Sequence, residues 1–364
     1  MAVETTRKAA KKSRSDAEIG KRIDTCGSVK TINLALQGGG AHGAFTWGVL
    51  DRLLEEKNLA FEGISATSAG AMNGAVLAYG LAVGGRVGAR EALALFWRRI
   101  SDAGRFGPLQ PSPMDMLLKN FSLSASPAFA ILGFMTRIWS PYQINPLNFN
   151  PLREVVEKTI DFDVLRRPDC PVKLFLSATN VRTGKIKVFE KEEISVSAVL
   201  ASACLPTVFQ AVEIDGEPYW DGGYMGNPPL FPLIYKCQSA DILIAHLNPL
   251  SRDKAPYTAD EILNRINEVS FNSSLMREMR AVSFVTRLIK ENRISDPSIK
   301  EVLIHSIAND ELMNSLNAVS KYNTDWDFIT YLRDEGRRCA ADWFAKNFSR
   351  LGVESTVDVD QNYL

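Results

Sequence analysis

The chain has 364 residues, 46% hydrophobic and 23% charged, with Lys plus Arg and Asp plus Glu equal at 42 each. This is the profile of a folded globular protein with one large or two ordinary domains, and the balance excludes a global charge that would draw it to nucleic acid or an anionic membrane. No run of about 18 apolar residues is available to span a bilayer, and five scattered cysteines without C-x-x-C spacing read as the reduced thiols of a cytoplasmic protein.

Residues 1–28 are polar, with Lys or Arg at positions 7, 8, 11, 12, 14, 21 and 22. They lack the apolar h-region of an export signal and predict a disordered basic tail, for which contact with acidic lipid or nucleic acid is the lesser alternative. From Val29 onward, strands and helices alternate. "TINLALQ" reads as a buried strand and "AFTWGVLDRLLEE" as an amphipathic helix with Phe45, Val49 and Leu53 on one face. "FEGISATS" is a second strand, running into the small-residue helix "AGAMNGAVLAYGLAV". Further strands are expected at "VKLFLSATNV", "KIKVFE", "ADILIAHLNP" and "KEVLIHSI", the first two joined as a hairpin. Long helices are expected from Thr258 to Asn292 and from Asp325 to Phe348. Interleaving of this kind predicts a layered α/β fold on a mainly parallel, mixed sheet over residues 29–364, with helices closing the chain in 310–364. Residues 104–150 interrupt the pattern with six prolines around two apolar clusters: Met114, Met116, Leu117 and Leu118, then Phe129, Ile131, Leu132, Phe134 and Met135. Such an insertion serves as a lid or acyl-chain pocket, or as a small accessory core.

The first strand ends in Gly38-x-Gly40-x-x-Gly43, the spacing of a dinucleotide loop. That chemistry needs a carboxylate at the end of the second strand about 20 residues on, to bind ribose hydroxyls. Glu62 has the distance but stands at the start of that strand. The strand's end holds Ala66-Thr67-Ser68-Ala69-Gly70 instead, the strand-turn-helix setting of a nucleophile elbow, whose tight turn calls for small residues two positions either side of the serine. Ala66 and Gly70 meet that need, and Ser68 would sit at the positive end of a helix dipole. An ordinary helix N-cap is the competing role for Ser68. Two adjacent parallel strands would bring the loop and the elbow face to face, so that the N–H groups of Gly38, Gly39 and Gly40 converge on a carbonyl oxygen bound at Ser68 as an oxyanion hole.

A base must deprotonate the serine. Of three histidines, His42 is inside the glycine loop, while His246 and His305 fall within apolar strands and read as core residues. Asp221 precedes Gly222-Gly223, after a Val212–Trp220 hairpin turning at Asp215-Gly216. D-G-G is ordinary turn chemistry, and it also lets the backbone fold closely around a carboxylate aimed at Ser68.

The ordered set "GGGAHG", "ATSAG", "ASACLP" at 201–206 and "DGG" followed by Asn227-Pro228-Pro229 resembles the patatin-like phospholipase family, and the closing "FITYLRDEGRRCAADWF" resembles the last helix of bacterial members. The resemblance implies a three-layer α/β/α fold and a serine acyl hydrolase that uses Ser68 as nucleophile, Asp221 as base and the Gly38–Gly40 loop for the oxyanion. It implies neither cofactor nor metal, and a phospholipid or lysophospholipid acyl ester as substrate, met at a membrane or lipid surface. The chain departs from the pattern in two places: Ala66 replaces the usual Gly, and His42 stands where many members carry Arg. The second leaves open how the loop is braced and links it to histidine protonation. Two alternatives stand beside this reading: a dinucleotide-dependent oxidoreductase using Gly38, Gly40 and Gly43, and a non-catalytic lipid-binding member of the fold.

Overall fold

The computed structural model describes residues 29–105, 135, 138–252, 254–296 and 298–364. The basic segment 1–28 and the apolar clusters of the insertion, Met135 excepted, lie outside the described residues.

The expected strands form an eight-stranded sheet. They are β1 (Lys30–Leu36), β2 (Leu59–Ala66), β3 (Lys173–Asn180), β4 (Ile186–Glu190), β5 (Val212–Ile214), β6 (Glu217–Asp221), β7 (Asp241–Ala245) and β8 (Leu303–Ile307). The order is β5-β6-β3-β2-β1-β7-β8, with β4 on the remaining edge of β3. Strands β3, β2, β1, β7 and β8 are mutually parallel, and β4, β5 and β6 join antiparallel. The β5–β6 hairpin turns at Asp215 and Gly216, both at positive φ, which matches the strand twist.

The helices are α1 (Gly43–Leu53), α2 (Ala69–Gly104), α3 (Pro141–Ile144), α4 (Pro151–Thr159), α5 (Phe162–Arg166), α6 (Val196–Ser202), α7 (Phe231–Lys236), α8 (Ala259–Lys290), α9 (Asp310–Ser315), α10 (Trp326–Asn347) and α11 (Val359–Tyr363). They cover both faces of the sheet. In β1, Ile32, Leu34 and Leu36 enter one core with Phe45 and Val49 of α1, Ala75 of α2 and Phe328 of α10, while Ala35 enters a second core with Leu275 and Met279 of α8. Strand β7 alternates in the same way, Leu243 and Ala245 against Ile242 and Ile244. Each large side chain so buried contributes roughly 1.5–3 kcal/mol.

Two elements differ from expectation. Helix α1 is buried on nearly all sides, because α10 packs over the face that the sheet leaves free. Helix α2 runs past the small-residue stretch to Gly104, with a break at Gly84 and Gly85 where the backbone leaves helical geometry.

Candidate active site

The sheet register brings the elbow and the D-G-G turn together. β2 pairs with one edge of β3 as far as Ala66 opposite Leu176, and β6 takes up the same edge from Asp221 opposite Ala178, because β4 occupies the other edge. The C-terminal ends of β2 and β6 therefore meet head-on, separated by a single residue of β3. Ser68 and Asp221, 153 positions apart in sequence, are thereby neighbours.

Ser68 lies between β2 and α2 with φ 56°, in the left-handed region that a non-glycine residue seldom adopts, at a cost of about 1–3 kcal/mol. It occupies the N-cap position, but its side chain makes no capping hydrogen bond, so ordinary capping does not describe it. Its own N–H donates to Ser202 Oγ at 2.9 Å. Thr67 beside it is anchored to Ser177 Oγ at 2.6 Å and to Gly226 O at 2.7 Å. Gly70 is required by a close approach: a β-carbon there would stand 2.2 Å from the carbonyl oxygen of Leu36. The crowding thus comes from the end of β1 and not from residue 66, and Ala66 is accommodated, fully buried, against Gly74.

Asp221 is fully buried. Its Oδ1 accepts from Gly223 N–H at 2.7 Å, so the carboxylate does cap its own turn, and its Oδ2 has no partner. Burial pushes its pKa up to about 7, against the Gly223 N–H, the Ser68 hydroxyl and the Lys321 charge, which pull it down. The Ser68 hydroxyl is near enough to act on Asp221 electrostatically, yet no hydrogen bond of ordinary length joins them, and Oδ2 is the carboxylate oxygen left for it.

The glycine loop lies against this pair. A β-carbon on Gly38 would fall 2.6 Å from Ser68 Cβ. The three N–H groups are not equivalent: Gly38 N–H donates to Asn227 Oδ1 at 2.6 Å, whereas those of Gly39 and Gly40 have no protein acceptor among the described residues. Gly40 has φ 59° and packs on residue 321. Gly43, the third glycine of the spacing, opens α1, and Gly222 and Gly223 open the turn after Asp221. Gln37 ties the loop to β7, its Oε1 accepting from Leu247 N–H at 2.9 Å and Asn248 N–H at 3.1 Å.

The histidines are elsewhere or silent. His42 is buried, 2.8 Å from Ser320 Oγ, and burial followed by the Lys321 charge pushes its pKa down to about 3. It stays neutral throughout the physiological range, so the expected link between the loop and histidine protonation does not hold. His246 pairs with the Tyr363 hydroxyl at 2.7 Å and is driven down to about 4 by burial. His305 pairs with Asp241 at 2.9 Å, at the start of β7, the opposite end of the sheet from Ser68. Glu62, whose distance suited a dinucleotide ribose, is held at that opposite end by Lys173 and by the N–H groups of Gln238 and Ser239. A polar groove of about 510 Å³ beside Tyr79, Glu157 and Arg166 shares no residue with the Ser68 site.

Sequence reasoning missed Ser202, Asn227 as a tether, Asn248 and Lys321. The first two lie within "ASACLP" and N-P-P and Asn248 at the end of the strand stretch "ADILIAHLNP", but nothing there singles them out, and Lys321 lies in no such stretch.

Residues 34–234 match the family model described as patatin-like phospholipase. No curated protein matches the chain. Among solved structures it is similar to VipD from Legionella pneumophila, at 15% identity and a TM-score of 0.31, over 84% of this chain and 67% of that one. It is also similar to the ExoU–SpcU complex from the type III secretion system of Pseudomonas aeruginosa, at 15% identity and a TM-score of 0.37, over 92% of this chain and 58% of that one. This chain thus spans 58 to 67% of the length of those structures, and likenesses at this level carry no argument about activity. The family match, by contrast, covers more than half of the 364 residues and contains the loop, the elbow and the D-G-G turn, so the chain belongs to the patatin-like phospholipase family of lipid acyl hydrolases.

Proposed function

We propose that the protein hydrolyses a carboxylic ester of a phospholipid or lysophospholipid with a Ser68–Asp221 dyad, through an acyl-enzyme. The observation that carries the reading is the meeting of β2 and β6: a serine hydroxyl held on a positive-φ turn without a capping bond, beside a buried carboxylate with one unpartnered oxygen.

Ser68 Oγ attacks the ester carbonyl while its proton passes to Asp221, and the carbonyl π electrons move to oxygen. The Gly39 and Gly40 N–H groups hold that oxyanion, with Gly38 as the tether that sets the loop, and the N-terminal end of α2 adds its dipole. Collapse of the intermediate expels the alcohol, which takes the proton from Asp221. Water then attacks the acyl-serine by the same route, giving its proton to Asp221, and the proton returns to Ser68 as the fatty acid leaves. A carboxylate with pKa near 7 suits this exchange, because it accepts and releases a proton with little bias at neutral pH. A positioned base typically contributes 10²–10⁴ in rate, and one oxyanion donor about 3 kcal/mol.

Fluorophosphonate labelling of the purified protein tests this. Wild type is expected to label at Ser68, and Ser68→Ala and Asp221→Asn to lose labelling while remaining folded. Hydrolysis of phosphatidylcholine and lysophosphatidylcholine vesicles then identifies the ester. A folded, unlabelled wild type that still binds those vesicles would replace this reading with a non-catalytic lipid-binding one.

A further inference from the structure

We propose that Lys321 is a positioning residue for the Ser68 reaction, and that the turn carrying it, Ala318–Tyr322, is the brace of the oxyanion loop. The proposal rests on the Ser68–Asp221 reading and extends it to a part of the chain beyond residue 234, where the family match ends.

The loop has two flanks. Ser68 stands on one, and the 3-10 turn Ala318–Tyr322 stands on the other. Contact with that turn is backbone to backbone: a β-carbon on Gly40 would fall 2.4 Å from Lys321 O. His42, two residues on, meets Ser320 Oγ at 2.8 Å, and the Ser320 hydroxyl also lies 2.7 Å from Asn317 O. A hydroxyl has one proton, and a carbonyl can only accept. Ser320 therefore donates to Asn317, and His42 must donate through Nε2–H to Ser320. A neutral histidine fixed in that tautomer pins the far end of the loop.

The Lys321 side chain pins its near end. Nζ donates to Asn248 Oδ1 at 3.1 Å, and Asn248 Nδ2 donates to Gly38 O at 2.8 Å. Gly38 C=O and Gly39 N–H belong to one planar trans peptide and point in opposite directions. Holding the carbonyl on Asn248 consequently aims the Gly39 N–H away from Asn248, as a donor directed by Lys321 through one intermediary. The ammonium charge also acts on the base. Lys321 is half-buried within electrostatic reach of Glu268, Arg252 and His42, and its charge favours ionised Asp221. The Asp221 charge in turn acts on Tyr224, Tyr322 and Cys204, all of which burial holds in their neutral forms at pH 7. Lys321 is the cation among the groups that act on Asp221.

The test uses the full-length protein with Lys321→Met and Lys321→Arg, assayed on a soluble 4-nitrophenyl ester across pH 5–9. Fluorophosphonate labelling of wild type at Ser68 is the entry condition; its failure overturns the dyad reading itself and this proposal with it. With labelling intact, Lys321→Met is expected to lower kcat by roughly tenfold or more with KM little changed, through a misdirected donor. It should also move the acid limb of kcat/KM upward by about 0.5–1 pH unit, because a positive charge has left the neighbourhood of a carboxylate. Lys321→Arg should keep the limb near its wild-type position. A second readout needs no turnover: in a Ser68→Ala background, the ¹³Cγ titration of Asp221 should shift upward on adding Lys321→Met. An unchanged acid limb together with an unchanged Asp221 titration overturns the proposal, whether or not kcat falls, since loss of packing alone would lower activity without moving either.

Discussion

Two buried carboxylates sit at opposite ends of the same sheet, and their partners differ. At the start of β7, Asp241 Oδ1 faces His305 Nε2 at 2.9 Å and the Gly352 N–H at 2.7 Å, so that its ligands join β7, β8 and the segment after α10. At the end of β6, Asp221 has one oxygen capped by its own turn, the other without a partner, and a pKa pushed up to about 7 by burial. Glu268 sharpens the contrast. Burial raises its pKa too, but Arg252 and Arg265 more than offset this and bring it below the ordinary value. A carboxylate in a fold is normally given enough donors to stay ionised; one left short of them is available to take a proton. A motif search for an Asp–His pair would choose Asp241 and His305, and counting unmet acceptors chooses Asp221.

The largest expected effect divides the two ends. Ser68→Ala and Asp221→Asn should lower kcat/KM on an ester substrate by about 10⁴ or more and 10³ or more respectively, with circular dichroism retained and Tm not lowered. Asp241→Asn should do the reverse, lowering Tm by several degrees while leaving kcat per folded molecule within about threefold, because a hydrogen-bonded buried charge is lost from a structural joint. A folded Asp241→Asn protein that has lost its turnover would break the comparison and reopen a role for His305.

A smaller effect is expected at the loop. Gly40→Ala puts a β-carbon against Lys321 O on a residue at φ 59°, so either the loop or the turn after Asn317 must move. A loss of about 10² in kcat is expected, the cost of one misplaced oxyanion donor, with KM little altered. Steady-state kinetics check it, and an unchanged kcat would remove Gly40 from the oxyanion hole. The pH profile follows from the same geometry. Asp221 must be ionised to act as base, so kcat/KM should rise with pH through an apparent pKa near 7, and an acid limb near 4 would mean that the carboxylate is better solvated than its burial implies.

Much of this arrangement was legible in the sequence because its parts are local. Hydrophobic runs marked the strands, Asp215-Gly216 marked the hairpin turn, and the glycines and small residues around Ser68 marked a backbone too crowded for side chains. What could not be read is carried by ordinary polar residues far apart in the chain. Ser202, Asn248 and Lys321 have no spacing signature; Ser202 meets Ser68, Asn248 meets Gly38 and Lys321 meets Asn248 only because α6, the end of β7 and the Ala318–Tyr322 turn converge where β1 and β2 end. The uniform glycine loop hid a difference for a related reason. As a donor, Gly38 is set apart from Gly39 and Gly40 because Asn227, from another segment, holds its N–H. Helix α1 read as amphipathic for want of any local sign that α10 would cover its outer face.

The smallest effect has a sign that distinguishes the two ends most directly. Asp221 has a folded pKa near 7 against an ordinary value of 3.8, so between those pH values the native protein binds a proton that the unfolded chain does not. Stability then falls as pH rises through that window, the full cost being present above about pH 7 and absent below about pH 4. Asp221→Asn removes the ionisable group and should therefore raise Tm by a few degrees at pH 8 and by almost nothing at pH 4. Glu278, also raised to about 7 by burial while accepting from Leu230 and Phe231 N–H, leaves a residual decline with pH in the variant, so the difference between the two proteins is the quantity to measure. Differential scanning calorimetry at pH 4, 6 and 8 supplies it. A variant less stable than wild type at pH 8 would mean that the Asp221 carboxylate is a structural anchor like Asp241, and the proposed base would have to be sought elsewhere.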